Sequence, residues 1–417
     1  MRRSGNSAVP ADRTGSGSAD VFSKCRAFTR PREIQEAGLY PYFEVFGGRK
    51  GCGPGEVLMG DRKILMFGSN DYLDLIVHPK VMAAAADALH KYGTGCSGSR
   101  LLNGTLDLHL QVEADLAQLV HKEAAMIFGT GFQANYAALS TLTEAGDVLL
   151  CDHNLHASLV EGALRSPARL VRFRHNDTEH LQHCLENGSS GENALIVTEG
   201  VYSMEGDVAD LPGIIQLARE HRARTYVDEA HSIGVFGETG AGMAEHLGVL
   251  DDTDIIMGTF SKSLASVGGF VAASHDVIEF LKHTARPFVF SASLPAASVA
   301  AAGAALSIIR EEPERRQRLL QISQLLRSEL CSRGLPVLDG YTPIVPVVIE
   351  DEPTLFRVCK QLMEEGIYVN PVLKPAASHN LLRISCTASH TQAHVSQLAE
   401  VLDRVVSGLG IPRETTA

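Results

Sequence analysis

Seven short apolar segments, most of them separated by stretches long enough for a helix, occupy the middle of this chain. They are residues 124–129, 147–152, 170–175, 194–199, 224–229, 254–260 and 268–274. This alternation is typical of an α/β domain with a mainly parallel sheet. The apolar runs are continuous, which indicates strands that are covered on both faces. We therefore predict a large α/β domain with a seven-stranded, mainly parallel sheet at residues 76–300.

Two smaller regions precede this domain. The first twenty residues are rich in Ser, Gly and Ala and have no apolar core of the kind found in a signal peptide. We therefore predict a disordered tail over residues 1–30. Residues 31–75 contain glycine-rich turns between short strand-like pieces such as residues 63–67, and we predict that they form a small N-terminal arm.

The region after the large domain shows helices and strands in alternation. An alanine-rich helix is predicted at residues 296–311, and strands are predicted at residues 347–349 and 382–385. Thr391 is expected to cap a last helix with one apolar face. These patterns predict a small α/β C-terminal domain at residues 301–417.

Composition excludes several classes of protein. The chain of 417 residues carries a net charge of −12 and has no long Lys/Arg run, so nucleic acid is not an expected partner. No apolar run approaches the ~18 residues of a membrane span, so stable membrane insertion is not expected. The eight cysteines are scattered without a CxxC pair, which favours a reducing cytoplasm and argues against a disulfide framework or a zinc site.

Several of the predicted strands end in polar residues, namely Thr130, Asp152, His153, Glu199, Asp228 and Ser261. In open α/β sheets, ligands bind beyond the carboxyl ends of the strands. We therefore expect these side chains to meet at one edge of the sheet and to form a site there.

Lys262 and Asp228 carry the most specific chemical signal at this edge. A lysine amine can form a Schiff base with an aldehyde, and an acid at a strand end can keep a pyridine nitrogen protonated. Together they indicate pyridoxal 5'-phosphate (PLP) as the cofactor. His231, three residues after Asp228, can donate a hydrogen bond to the phenolic oxygen of PLP, and Thr259 and Ser261 can bind a phosphate or carboxylate.

Other motifs are weaker when they are taken alone. Gly131 opens a helix whose N-terminus suits a phosphate, although a plain turn would look the same. A histidine after the second strand could stack on a planar ring, but the residues alone do not choose between His153 and His156. Ser203 offers a polar contact or belongs to a tight turn. Arg383, on an apolar strand, either binds a substrate carboxylate or forms a structural salt bridge.

Together these motifs resemble those of the α-oxoamine synthases, PLP enzymes of fold type I, from about residue 40 to residue 409. The shared stretches are Tyr40-Pro41-Tyr42-Phe43, Ser99-Arg100-Leu101-Leu102-Asn103-Gly104-Thr105, Arg172-Phe173-Arg174-His175-Asn176, Glu199-Gly200-Val201-Tyr202-Ser203-Met204, Thr259-Phe260-Ser261-Lys262-Ser263 and Tyr368-Val369-Asn370. Within the family they look most like the bacterial members that use serine.

The resemblance implies roles for individual residues. Lys262 would hold PLP, with Asp228 at its ring nitrogen, His231 at its phenolic oxygen and His156 stacked on the ring. The residues implied to line the cofactor and its phosphate are Gly131, Phe132, Ser203, Thr259 and Ser261. Asn70 and Arg383 would hold the amino-acid carboxylate. Ser291 and Ser293 match positions that reach the phosphate in the neighbouring subunit, which implies a homodimer with shared active sites.

The reaction that the resemblance implies is a decarboxylative Claisen-type condensation. An amino acid, with serine expected, would react with a long-chain acyl-CoA to give CO2 and an α-amino ketone similar to 3-ketosphinganine. Three departures from the family pattern concern the substrates, one of them being Pro295-Ala296 in place of the frequent Pro-Pro. Asp74 replaces a glycine and would be strained if that position has a positive φ. The loop 370–383 looks shorter than in the bacterial sphingolipid enzymes.

Three alternatives stay open. The chain could be an α-oxoamine synthase of secondary metabolism that uses glycine, alanine or an acyl group on a carrier protein. It could be an aminotransferase or an amino-acid decarboxylase of the same fold type, which would release no CoA. It could also be an inactive partner subunit, although such subunits typically lose the lysine that this chain keeps at Lys262.

Overall fold

A computed structural model of the chain describes residues 20–188 and 193–413. The chain divides between Phe43 and Glu44 into two compact units. In the first unit, the described residues form two short helices. Residues 1–19, most of the predicted disordered tail, lie outside the described residues. The second unit contains all the strands of the described chain.

The described residues form thirteen strands. They are β1 (Glu56–Met59), β2 (Arg62–Met66), β3 (Ala124–Phe128), β4 (Val148–Asp152), β5 (Arg169–Phe173), β6 (Ala194–Glu199), β7 (Arg224–Asp228), β8 (Ile255–Thr259), β9 (Gly269–Ala273), β10 (Ile344–Val348), β11 (Ile367–Tyr368), β12 (Asn370–Val372) and β13 (Leu381–Ser385).

Fifteen helices accompany these strands in the described part of the chain. They are α1 (Ser23–Ala27), α2 (Arg30–Glu36), α3 (Pro79–Tyr92), α4 (Asp107–Leu119), α5 (Gly131–Leu142), α6 (Ala157–Arg165), α7 (Thr178–Gly188), α8 (Leu211–His221), α9 (Met243–His246), α10 (His275–Thr284), α11 (Arg286–Val289), α12 (Ala296–Glu311), α13 (Glu314–Ser332), α14 (Glu352–Glu364) and α15 (Gln392–Gly408).

The central sheet has the strand order β3-β9-β8-β7-β6-β4-β5. The five strands from β8 to β5 in this order pair in parallel, and β9 is antiparallel to both of its neighbours. Most of its strands are buried at every or nearly every position, as continuous apolar runs require of a sheet covered on both faces. The predicted fold, an α/β domain with a seven-stranded, mainly parallel sheet, is confirmed.

Two small sheets accompany the central one, with the strand orders β1-β2-β11 and β10-β13-β12. The alanine-rich helix α12 has the predicted bounds, and Thr391 caps α15 by accepting a hydrogen bond from the backbone N–H of His394. The domain boundaries drawn from the sequence after residues 30, 75 and 300 remain predictions. Among the described residues, no helix combines the length and the apolar composition that a membrane span requires.

His175 joins the loops at the carboxyl edge of the central sheet. Its Nδ1 lies 2.9 Å from an oxygen of Asp152, and its Nε2 lies 2.8 Å from an oxygen of Asp207. Asp152 also accepts hydrogen bonds from the backbone N–H groups of Asn154 and Asn176. Burial opposes a charge on His175, but the hydrogen bonds to the two carboxylates raise the pKa of its imidazole to about 10.

We predict that the substitution His175→Gln lowers the free energy of unfolding by about 2 kcal/mol at about pH 6, because charged hydrogen bonds are lost. The folded-state pKa of about 10 lies above the usual 6.5. The stabilisation is therefore fully present below about pH 6.5 and is lost as the pH rises through about 10. Urea unfolding at about pH 6 and about pH 10 measures this difference.

His275→Gln, on an exposed position of α10, is the matched control and should leave the unfolding midpoint unchanged at both pH values. Equal destabilisation of the His175→Gln variant at both pH values would show that the charge on His175 contributes nothing.

Candidate active site

A cavity of about 320 Å³ lies beyond the carboxyl ends of β6, β7 and β8, beside the start of α5. Eight of the residues predicted from the sequence line it, namely Gly131, Phe132, His156, Asp228, His231, Thr259, Ser261 and Lys262. They come together because parallel strands end at the same edge of the sheet, so that the loops that follow them meet.

Lys262 presents its amine to this cavity. The residue is half-buried and lines the cavity. Desolvation by the surrounding protein lowers the pKa of the amine to about 8, against the opposing attraction of Asp228 and Glu199. The charge of Arg383 also lowers the pKa of the Lys262 amine, by a smaller amount. Lys262 is therefore a partly neutral amine near neutral pH.

Asp228 ends β7 and is held by fixed hydrogen-bond donors. Asn135 donates from Nδ2 to one carboxyl oxygen at 2.7 Å, and the backbone N–H of Ala230 donates to the other at 2.9 Å. The Tyr226 hydroxyl donates to Asn135 Oδ1 at 2.8 Å and orients the amide. The carboxyl group of Asp228 is thus held in one orientation, with lone pairs left for a ring nitrogen.

His156 also lines the cavity, at the N-terminus of α6. Its backbone N–H donates to Glu199 at 2.5 Å, and its Nδ1 accepts from the backbone N–H of Ser158 at 3.2 Å. A neutral imidazole whose Nδ1 accepts must carry its proton on Nε2. Desolvation lowers the pKa of this imidazole, which favours the neutral ring. Burial, followed by the charge of Asp228, raises the pKa of Glu199 well above its usual value.

The start of α5 forms the end of the cavity that suits a phosphate. Thr130 caps this helix by accepting from the backbone N–H of Gln133. A Cβ on Gly131 would lie 2.9 Å from Thr259 Oγ1, so only glycine leaves this space open. The hydroxyl oxygens of Thr259 and Ser261 lie 2.9 Å apart beside it. Free N–H groups at a helix N-terminus and two hydroxyls are suitable partners for a phosphate.

Arg383, on β13, and Asn70 meet although 313 residues separate them in sequence. Arg383 Nη1 donates to Asn70 Oδ1 at 3.2 Å and to Ser385 Oγ at 2.8 Å, and its Nε donates to the Ser203 carbonyl at 2.6 Å. The charge of Arg383 reaches the cavity, because it lowers the pKa of both Lys262 and His231.

Five predicted residues do not line the cavity that Lys262 lines: Asn70 and Arg383, described above, and three serines. Ser203 lines a second cavity of about 720 Å³, which has His156 in common with the first. Ser291 is half-buried, and the buried Ser293 has a hydroxyl with no hydrogen-bond partner among the described residues. The roles of these three serines at the cofactor remain predictions.

Three residues of the site were not singled out from the sequence as site residues: Asn135, Glu199 and Tyr72. Asn135 lies one helical turn after Gly131, so it faces the same side of α5. This spacing could have predicted that Asn135 belongs to the site. Glu199 was recognised only as a polar strand end. Tyr72 is fully buried, and its hydroxyl lies 2.7 Å from His231 Nδ1. No local pattern relates two residues so far apart.

The residues present fit PLP. The cavity combines an amine of lowered pKa, a carboxyl group held by Asn135, two imidazoles and a helix N-terminus that a Gly131 side chain would block. In the described ranges, no group of three or more His, Cys, Asp or Glu side chains is placed to bind a metal ion.

Comparison with known proteins identifies the family. The model of the aminotransferase class I and II family matches residues 62–402. A serine palmitoyltransferase from Sphingobacterium spiritivorum is 44% identical over 380 residues, which are 91% of this chain and 94% of that protein. An 8-amino-7-oxononanoate synthase from Geobacter sulfurreducens is 38% identical over 385 residues, which are 91% of this chain and 97% of that protein.

Solved structures agree with these relatives. A serine palmitoyltransferase from Sphingomonas wittichii matches with a TM-score of 0.90 and 36% identity, over 94% of this chain and 100% of that one. A high-resolution structure of SPT with its PLP internal aldimine matches with the same TM-score and coverage at 34% identity. The chain therefore belongs to the aminotransferase class I and II family, and within it to the PLP-dependent α-oxoamine synthases.

Proposed function

We propose that this enzyme condenses L-serine with a long-chain acyl-CoA and releases CO2, CoA and an α-amino ketone similar to 3-ketosphinganine. One observation carries the proposal. The cavity that holds Lys262, Asp228 and His231 has His156 in common with a second, larger cavity, and Arg383, which bonds Asn70, is close enough for its charge to act on Lys262 and His231. One site thus offers places for a cofactor, a carboxylate and an acyl chain.

The second cavity has a mixed lining that offers apolar contacts to an acyl chain. Its walls include the apolar side chains of Leu155, Val160, Met204, Pro375 and Ala376. Pro375 and Ala376 belong to a loop that is anchored at both ends. Lys374 Nζ lies 2.9 Å from Glu350, and the Ser378 N–H donates to Glu205 at 2.8 Å. Burial of a long chain against such walls contributes about 0.8 kcal/mol for each CH2 group.

The overall reaction balances as follows. The α-carbon of the amino acid forms a bond with the acyl carbon, the C–S bond of the thioester breaks, and the carboxylate leaves as CO2. CoA departs as a thiolate that takes a proton from solvent. The proton that leaves the α-carbon at the start is replaced on that carbon after CO2 has gone.

Bound PLP supplies an aldehyde that joins to an amino group and a ring that stabilises negative charge on the adjacent carbon. The protein side chains supply the rest. Lys262, with a pKa of about 8, can take the α-proton and return it. Asp228 would pair with the ring nitrogen, and His156 would cover the ring face. Arg383 and Asn70 would hold the substrate carboxylate until it leaves.

We also propose a homodimer in which Ser291 and Ser293 of one subunit reach the cofactor phosphate of the other. Their position outside the Lys262 cavity of a single chain is consistent with this arrangement. The cytoplasmic location expected from the sequence remains a prediction.

A second candidate function is supported by the relative named 8-amino-7-oxononanoate synthase. In this alternative the enzyme is an α-oxoamine synthase that uses alanine or glycine, or an acyl chain carried by a carrier protein. Asp74 and the short loop 370–383 are the sequence features that favour it.

We predict that L-serine, but not glycine or L-alanine, produces a saturable change in the visible absorbance of the PLP-loaded protein. Addition of palmitoyl-CoA to the serine mixture should then release free CoA, and mass spectrometry should detect the α-amino ketone. A response to alanine or glycine without serine would favour the second candidate. Absence of CoA release with every thioester would indicate an aminotransferase or a decarboxylase.

We predict that Lys262→Ala abolishes the visible absorbance of the covalently attached cofactor and lowers kcat by at least about 10³-fold, because the proton acceptor is lost. Absorbance spectra and CoA release measure the two effects. Lys360→Ala removes an exposed lysine of α14 and should change neither. Normal absorbance in the Lys262→Ala variant would place the attachment point elsewhere.

We predict that Arg383→Lys raises the KM for the amino acid by about 10-fold to 100-fold, because an ammonium group cannot bind a carboxylate through two parallel N–H bonds. The KM for the acyl-CoA should change little. Steady-state kinetics with each substrate varied in turn measures both constants. An equal rise in both values would indicate a general distortion of the site.

A further inference from the structure

Tyr72 connects the carboxylate side of the site to the cofactor side. Its side chain is fully buried, and its hydroxyl oxygen lies 2.7 Å from Nδ1 of His231. The backbone on either side is fixed, because the carbonyl of Tyr72 accepts from the Ala388 N–H at 2.7 Å and its own N–H donates to the Asn70 carbonyl at 2.8 Å. The phenol therefore has little freedom to leave His231.

The charge of Arg383 determines which atom donates in the contact between Tyr72 and His231. Burial raises the pKa of the Tyr72 phenol, and the positive charge of Arg383 opposes this effect, so the guanidinium lies near the phenolic oxygen. A guanidinium has donors and no acceptor. The lone pairs of the phenol consequently face Arg383, and its hydrogen points to Nδ1.

His231 is neutral in this environment. Burial lowers the pKa of its imidazole well below the usual value, and the positive charges of Lys262 and Arg383 lower it further. A neutral imidazole has one N–H, so an Nδ1 that accepts from Tyr72 leaves the proton on Nε2. His231 lines the cavity, and no protein group among residues 20–188 and 193–413 bonds its Nε2.

We propose that Tyr72 is a positioning residue that holds His231 in the tautomer with the proton on Nε2, where it donates to the phenolic oxygen of bound PLP. The inference rests on the proposed placement of His231 at that oxygen. Without the Tyr72 hydroxyl, the proton can occupy either ring nitrogen. An Nε2 that accepts would let the phenolic oxygen keep its own proton.

This arrangement has a consequence for the substrate. Arg383, which would bind the amino-acid carboxylate, also orients the phenol of Tyr72, and Tyr72 in turn orients His231. The proposed carboxylate site and the cofactor oxygen are thus joined by one line of three buried side chains.

The test uses the PLP-loaded enzyme without substrate. Protonated and deprotonated forms of the phenolic oxygen absorb at different wavelengths, so the ratio of the two absorption bands reports the contact. We predict that Tyr72→Phe shifts this ratio toward the protonated form by about tenfold, which is one pKa unit. Tyr202→Phe is the control, because it removes a fully buried phenol that bonds Thr198 Oγ1 at 2.9 Å instead of His231.

A ratio in Tyr72→Phe equal to that of the wild type would overturn the proposal, and so would an equal shift in Tyr202→Phe. A second measurement needs no Tyr72 variant. In holoenzyme labelled with 15N-histidine, the signal that His231→Gln removes should show a protonated Nε2, and a protonated Nδ1 would contradict the inference. Both readouts are independent of which amino acid the enzyme condenses, so a failure with serine is distinguishable from a failure here.

Discussion

A buried carboxyl group requires fixed hydrogen-bond donors, and Asn135 provides one for Asp228. The same amide group donates to Ser158 Oγ at 2.9 Å, and that hydroxyl lies 2.7 Å from Nδ1 of His156. Tyr226 holds the other end of the amide. One asparagine side chain thereby links β7, α5 and the start of α6, which all contribute residues to the cavity.

Burial has a common effect on the titratable groups around this network. It lowers the pKa of Lys262, His156 and His231 and raises that of Glu199, so each is shifted toward its neutral form. Neutral amines and imidazoles can accept protons or donate from a defined nitrogen. A cavity in which these groups are shifted toward their neutral forms is suited to proton transfer at a carbon atom, and Arg383 is a nearby cation for a carboxylate.

The seven strands of the central sheet were predictable because their signal is local. Continuous apolar runs placed each strand within about two residues of its observed bounds, and the alanine-rich α12 was found with its bounds correct. The strands β11 and β12 were missed, since two or three residues show no repeating pattern. The strand order could not be predicted, because it depends on contacts between distant segments.

The residues of the candidate site likewise fall into those that the sequence predicted and those that only the structure revealed. Lys262 and Asp228 were predicted because their side-chain chemistry is distinctive, and the family resemblance selected His156 over His153. Asn135 and Tyr72 act through partners that are 93 and 159 residues away, and nothing in the local sequence marks such pairs. The sequence alone therefore indicated which groups react, whereas the groups that orient them required the three-dimensional structure.

The attachment of β13 to the segment before α3 has a mechanical consequence. Arg383 on β13 bonds Asn70, the Ser385 N–H donates to the carbonyl of Phe67, and the Ala388 N–H just beyond the strand donates to the carbonyl of Tyr72. This part of the chain is therefore attached to the segment at three points. A shift of β13 toward an incoming substrate would pull the Tyr72 ring along with it. The Tyr72 hydroxyl contacts His231, so a position taken by β13 on the substrate side would be transmitted through Tyr72 to His231.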